Sequence, residues 1–303
     1  MSLESRPRSI FQIDVKTHFH ADTMTRRAFL ACAATATAGG MVFATTRGRH
    51  HLEVTRRTIA IRNLPTAFQG FRIAQISDIH MGEFTEPWYL HEVVARANAL
   101  NADAVLLTGD FISRGPMPES VARRAMPVCA EAVSHLTAPV RYAILGNHDV
   151  TVGREIVIRS LAERGIPTLV NAAVPLLKDG DRLWIAGLDD AGTSSPNPYA
   201  AIPAAPGAPV ILMAHEPDYV DKLRRHPRAP LVDLVLSGHS HGGQVRLPWI
   251  GPLVLPPMGQ KYVEGLFRFG DMQLYVNRGI GTVGLPFRFN CPSEITEITL
   301  VQA

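Results

Sequence analysis

The chain has 303 residues, 46% of them hydrophobic and 19% charged, a length and composition that suit one large or two ordinary globular domains with a sizeable core. Its formal charge of +3 falls to about +1 beyond residue 44, because Arg6, Arg8, Lys16, Arg26 and Arg27 outnumber Glu4, Asp14 and Asp22, and so small a charge excludes the electrostatic footprint of a nucleic-acid binder. Cys32, Cys129 and Cys291 form no C-x-x-C pair, which excludes a zinc ribbon or a thioredoxin motif; Cys129 and Cys291 are expected as buried thiols, with a disulfide between them as the alternative.

In chain order, the first segment is a targeting signal. Thr25 to Leu30, "TRRAFL", sets paired arginines before an Ala/Thr/Gly-rich stretch that runs to about Thr46, and this resembles a twin-arginine export signal. The resemblance implies the twin-arginine machinery as a partner and a location in the periplasm or on the outer face of the inner membrane. Residues 1–44 are read as n-region and signal, with cleavage after Ala44 or retention as an anchor, and Met24 is an alternative start. Residues 45–303 are read as one domain.

From about Thr55 onward, short apolar runs alternate with amphipathic stretches, the pattern of a layered α/β domain. Strands are expected at 71–77, 102–108, 140–145, 209–214 and 232–237, several so continuously apolar that both sheet faces must be covered, and another at 182–188. Helices are expected near 86–100, 118–136, 154–164 and 217–225, the second kinked or split by Pro127. The segment after 245 turns Pro-rich and then β-rich, with a hairpin turning at Gly270-Asp271 and a last strand in "EITEITLV". The expected fold is α/β: a layered sandwich of two mixed β-sheets flanked by helices.

Polar residues follow each of the five main strands. They are Asp78-Ile79-His80, Gly109-Asp110, Gly146-Asn147-His148-Asp149, His215-Glu216 and Gly238-His239-Ser240-His241. Taken singly, each is an ordinary turn, cap or surface pair. Jointly they put metal-ligand types at the carboxyl ends of strands, where layered α/β sheets bind ligands. Imidazole mixed with carboxylate suits Mn²⁺, Fe²⁺ or Zn²⁺, whereas Mg²⁺ and Ca²⁺ sites are built almost entirely from oxygen. Two cations roughly 3.5–4 Å apart need a shared anionic bridge.

The ordered set D-x-H (78–80), G-D (109–110), G-N-H-D (146–149), H-E (215–216) and G-H-x-H (238–241) resembles the calcineurin-like metallophosphoesterase family, and "NRGIGTVGLPFRFNCPSEI" (277–295) is similar to its exported bacterial branch. By that resemblance, Asp78, His80 and His241 hold one metal, Asn147, His215 and His239 the other, and Asp110 bridges both. Mn²⁺ is the expected metal, with Fe²⁺ or Zn²⁺ as alternatives. His148 is the implied donor to the leaving oxygen, with Asp149 orienting it.

The implied reaction is hydrolysis of a phosphodiester, phosphomonoester or pyrophosphate by a hydroxide bridging the metals. A lipid or cell-envelope substrate is one option; a metal-binding envelope protein without turnover is the alternative function. Glu216 supports the site from behind or lies on the surface, and Asp189-Asp190 caps a loop at its mouth. The apolar run Leu247 to Met258, with Trp249 and Ile250, either lines a lipid-contacting rim or packs internally.

Overall fold

Along one short strand, Ala104 and Leu106 enter one apolar cluster while Val105 and Leu107 enter another. The same division separates Ile211 and Met213 from Val210 and Leu212, and Leu234 and Leu236 from Val235. Side chains of successive strand residues point to opposite faces, so apolar residues at every position require cover on both. The chain meets that requirement with two stacked sheets and an outer layer on each.

The computed structural model describes residues 48–303 except 83, 116 and 117, and before them only 25–27, 30, 35, 39 and 45. Most of the expected signal, including Ala44 and Cys32, lies outside the described residues. Met41–Ala303 is one compact unit, separate from Met1–Gly40, and the architecture below is that of the larger unit. Its elements in chain order are β1 (Leu52–Ile61), β2 (Arg72–Ile76), α1 (Pro87–Ala99), β3 (Ala104–Leu107), α2 (Glu119–Ser134), β4 (Val140–Ala143), α3 (Asn147–Ala162), β5 (Ala172–Lys178), β6 (Asp181–Gly187), β7 (Val210–Met213), β8 (Leu234–Ser237), β9 (Arg246–Leu247), β10 (Gly251–Pro252), β11 (Gly265–Phe269), β12 (Met272–Val276) and β13 (Ser293–Gln302).

One sheet has the order β1-β13-β2-β3-β4 and the other β11-β12-β8-β7-β6-β5. Both are mixed: β2, β3 and β4 are parallel, as are β6, β7, β8 and β12, whereas β13 runs antiparallel to β2, and β5 and β11 are antiparallel edges. The cluster containing Ile73, Leu106, Ile211 and Leu236 fills the space between the sheets. α1, α2 and α3 cover the first sheet through Val93, Met126 and Val157. This is the α/β sandwich expected from the sequence.

Three helical expectations change. α2 continues unbroken through Pro127. Pro127 and Arg123, whose carbonyl loses its helical partner, both lie on the exposed face, while Met126, Cys129, Ala130 and Val133 hold the other face in the core. α3 is longer than expected: a short helical stretch from Asn147, with the G-N-H-D run in its first turn, precedes a break at Gly153 (φ 160°, ψ 82°), and the expected helix of 154–164 follows it. The 217–225 stretch is only a 3-10 turn, Pro217–Tyr219, followed by the short helix Val220–Leu223.

Two buried side chains hold the strand ends in register. Gln75 donates across the sandwich to the Ser237 carbonyl at 3.0 Å and to the Thr108 hydroxyl at 3.1 Å, joining the ends of β2, β3 and β8. Asp149 is completely buried, and its carboxylate accepts four backbone N–H groups: Asp110 at 2.8 Å, Phe111 at 2.9 Å, Ile112 at 3.3 Å and Gly146 at 3.0 Å. Asp149 therefore does not orient His148 as the sequence suggested. Facing the core from the third position of α3, it clamps the loop after β3 to the turn after β4.

Asn at position 149 has one acceptor oxygen and one NH₂, and either orientation sets the NH₂ against two N–H donors. Asp149→Asn should therefore destabilise the fold by about 2–5 kcal/mol, a fall in Tm of roughly 5–15 °C. Thermal unfolding of the two proteins checks this; an unchanged Tm removes Asp149 as the clamp.

Candidate active site

Asp78, His80, Asp110, His239 and His241 all have positive φ, between 50° and 68°. Left-handed backbone is uncommon for any residue with a Cβ and costs of order 1–3 kcal/mol where it is enforced. Here it is enforced by a lattice of main-chain bonds among the loops: Asp78 N–H to Gly109, His80 N–H to Asp110, Gly238 N–H to His215, and Gly281 N–H to Asp78. Two glycines make the approach possible. A Cβ on Gly146 would collide with the Asp110 carboxylate, and one on Gly238 with Ser77 Oγ and Asp78 Oδ2.

The loops bring all seven expected ligands to one place. Asp78, His80 and His241 form one group whose donor atoms lie within 4.8 Å of one another; Asp110, His215 and His239 form a second, and His80, Asp110 and His148 a third. Asp110 belongs to two of these groups: its Oδ2 is 3.5 Å from His80 Nε2 and 3.1 Å from His215 Nε2. Asp78 Oδ1 is 3.4 Å from His241 Nε2. Asn147 faces the same cavity as Asp110, and its Oδ1 is buried without a partner.

Hydrogen bonds from outside the cluster fix which nitrogens face it. Nδ1 of His215 donates to the Thr108 carbonyl at 2.7 Å, which turns Nε2 toward Asp110 Oδ2, 3.1 Å away. His239 is held the other way, with Nε2 donating to the Pro257 carbonyl at 2.8 Å, which leaves Nδ1 open. Nδ1 of His148 accepts the Arg114 N–H at 2.7 Å, so its ring proton sits on Nε2. Thr108 and Pro257 act through carbonyls, which carry no signal in the sequence.

The electrostatics split the imidazoles: burial alone would lower His215, but the Asp110 and Asp78 carboxylates outweigh it and hold that ring well above its ordinary value, while three other rings are held low. Burial lowers His80 to about 3, aided by His148 and His215. Burial, His80 and Arg288 hold His241 well below the usual range, and burial with His215 lowers His239. Burial alone would raise Asp110, but His215, His148 and His80 outweigh it and hold the carboxyl well below its ordinary value. Burial and Asp110 push Asp149 up to about 8, against the pull of the Gly146 and Ile112 N–H groups.

Two carboxylates, an amide oxygen and five imidazoles, several with orphaned lone pairs, make a donor set that fits borderline divalent cations. Asp110, Asn147, His148, His239 and His241 line a cavity of about 660 Å³ together with Val245, Leu253, Val254, Met258 and Leu285. Glu216 is buried: Oε2 accepts the Ala191 N–H at 3.0 Å, and Oε1 has no partner. Asp189 binds Arg154 at 2.7 Å and Ser194, while Asp190 accepts from Thr193, the loop-capping work expected of the pair. Burial, with Glu216 alongside, raises Asp190 to about 7. Cys129 and Cys291 are both buried and free.

Residues 71–243 match the calcineurin-like phosphoesterase family. The chain is 35% identical over 288 residues to the uncharacterized metallophosphoesterase YkuE of Bacillus subtilis, covering 91% of this chain and 98% of that protein. It is 31% identical over 242 residues to phosphodiesterase YaeI of Escherichia coli, covering 76% of this chain and 82% of that one. It is also 31% identical over 309 residues to UDP-2,3-diacylglucosamine pyrophosphatase LpxG of Chlamydia trachomatis, covering 81% of this chain and 90% of that one. A family match across more than half of the chain, together with a relative aligned over nearly its whole length, makes this protein a member of the calcineurin-like phosphoesterases, hydrolases that work with a pair of metal ions.

Proposed function

We propose that the protein is an exported phosphoesterase that hydrolyses a phosphodiester, phosphomonoester or pyrophosphate whose organic part is apolar. The observation that carries this is one cavity whose lining joins Asp110, Asn147, His148, His239 and His241 to Val245, Leu253, Val254, Met258 and Leu285. The family membership and the names of YaeI and LpxG support the reaction class, and LpxG supports a lipid-like substrate.

In this reading, Asp78, His80 and His241 hold one cation, Asn147, His215 and His239 the other, and Asp110 both; Mn²⁺ suits the donor set, as do Fe²⁺ and Zn²⁺. Bound cations would neutralise charge on the phosphoryl oxygens and acidify the attacking water. His148 lines the cavity with its ring proton on Nε2, the form able to donate to the phosphoryl group or the departing oxygen. The Arg114 N–H keeps it in that form. Thr108 and Pro257 fix the exposed nitrogens of His215 and His239 before any ligand arrives.

Asp110→Ala should lose both metals and all hydrolysis of bis(p-nitrophenyl) phosphate, because a pair of cations without its bridge repels itself. Metal analysis alongside the Mn²⁺-supplied assay checks this, and near-normal turnover with two metals bound refutes the bridging role. His148→Ala should keep both metals and lose roughly 10²–10⁴-fold in turnover, less on esters with good leaving groups.

Export rests on Arg26 and Arg27. With both changed to Lys, the active protein should accumulate in the cytoplasm, as fractionation with the same assay will reveal; undiminished export would mean an ordinary secretory signal or a plain anchor.

A further inference from the structure

Trp249 has a φ of 63° and is fully exposed, at 103% of its reference area. It occupies the three-residue tip of a small hairpin in which β9 pairs antiparallel with β10, Leu247 opposite Gly251 and Arg246 opposite Pro252. A tryptophan held in left-handed backbone with no side-chain burial to offset it is a local conflict that packing does not explain. The hairpin base is firmly fixed. Arg246 pairs with Glu264 at 2.7 Å, its N–H bonds Phe289 O at 2.9 Å, and Leu253 N–H bonds Val245 O at 3.0 Å. A rigid base therefore carries an apolar tip into solvent.

The exposed apolar surface continues past the tip. Ile250, at 72% exposure, sits beside Trp249, while Leu253 at 53%, Val254 at 76% and Leu285 at 48% are both exposed and part of the apolar wall of the catalytic cavity. Exposed apolar side chains grouped on one short segment and at one cavity mouth mark an interaction site, unlike single scattered apolar residues. Five side chains fall well short of the roughly 20–30 residues a side that a stable dimer engages. A convex finger ending in Trp suits a deformable partner, and Trp is the residue enriched at the membrane–water interface.

We infer that the Trp249–Ile250 tip inserts into the surface layer of a lipid bilayer and sets the cavity mouth, with Leu253, Val254 and Leu285, against the membrane. The insertion is independent of the chemistry. Its consequence, that an amphiphilic phosphoester enters along the apolar wall without crossing water, rests on the proposed phosphoesterase function. A three-residue tip reaches only the surface layer of a bilayer, so the finger would be a peripheral contact.

The test uses the full chain and sedimentation with phosphatidylethanolamine/phosphatidylglycerol vesicles. Glycine accepts the φ of position 249 without strain, so Trp249→Gly combined with Ile250→Ser removes the tip while leaving the fold at least as stable. The double variant should lose at least ~10-fold in vesicle partition. Its Tm should not fall, and its turnover of soluble bis(p-nitrophenyl) phosphate should stay within about twofold of the parent.

Parent binding should survive high salt, since the tip is uncharged, whereas adsorption through Arg26 and Arg27 would be screened. Equal partition of parent and variant, or binding abolished by salt, overturns the inference. So does a concentration-dependent dimer that the variant loses without any vesicle binding by the parent, which would assign the patch to a second copy. Absence of soluble-diester turnover in the parent would instead refute the phosphoesterase function, and the partition measurement does not depend on it.

Discussion

The upper end of this molecule is organised around one electrostatic constraint: the carboxylates of Asp78 and Asp110 are buried among five imidazoles. Buried charge is tolerated only when paired or coordinated. Asp110 is held ionised chiefly by His215, which is itself held well above its ordinary value, whereas burial holds His80, His239 and His241 low, so only part of the cluster's charge is paired internally. Divalent cations complete the pairing, because they supply positive charge to the carboxylates and an acceptor for the lone pairs of the neutral rings.

That constraint explains the backbone. Left-handed conformations at Asp78, His80, Asp110, His239 and His241, at of order 1–3 kcal/mol each, together rival the whole net stability of about 5–15 kcal/mol expected of a folded domain. Such a cost persists only where the surroundings over-determine it. The Asp149 clamp, the Gln75 bridge and the main-chain bonds between loops do so before any metal binds, and ligand binding to the native state adds to their effect. The site is preorganised at the expense of local strain, and the core between the two sheets offsets it.

The sequence made the sandwich legible because β3, β7 and β8 are apolar at nearly every position, a pattern that only two-sided burial explains. The edge strands were harder to see. β1 carries Thr55, Arg56, Arg57 and Thr58 in its middle, and β5 contains Pro175, so neither shows a clean period, and both are defined by their partners instead. The site residues were legible as types at strand ends. Their support was not: Asp149 looked like a partner for its neighbour His148, and only the first turn of α3 reveals that it faces the core. The run from Leu247 to Met258 had two readings, rim or internal packing, and its exposed Trp249, Ile250, Leu253 and Val254 decide for a surface role at the tip.

The same loop reaches inward as well as outward. Pro257, eight residues after Trp249, accepts the Nε2–H of His239, and a Cβ on Gly259 would lie 3.2 Å from the Cδ2 of that ring. The segment that forms the apolar wall therefore also fixes which nitrogen His239 presents to the cluster. Val254, Pro256, Pro257 and Met258 line the cavity in sequence, and the two prolines limit how far the segment can flex between wall and ligand. A displacement of the wall large enough to admit a bulkier substrate would thus move the Pro257 carbonyl and loosen His239. Substrate fit and ligand geometry are coupled through one short length of backbone, which favours a cavity shaped in advance over one that opens on demand.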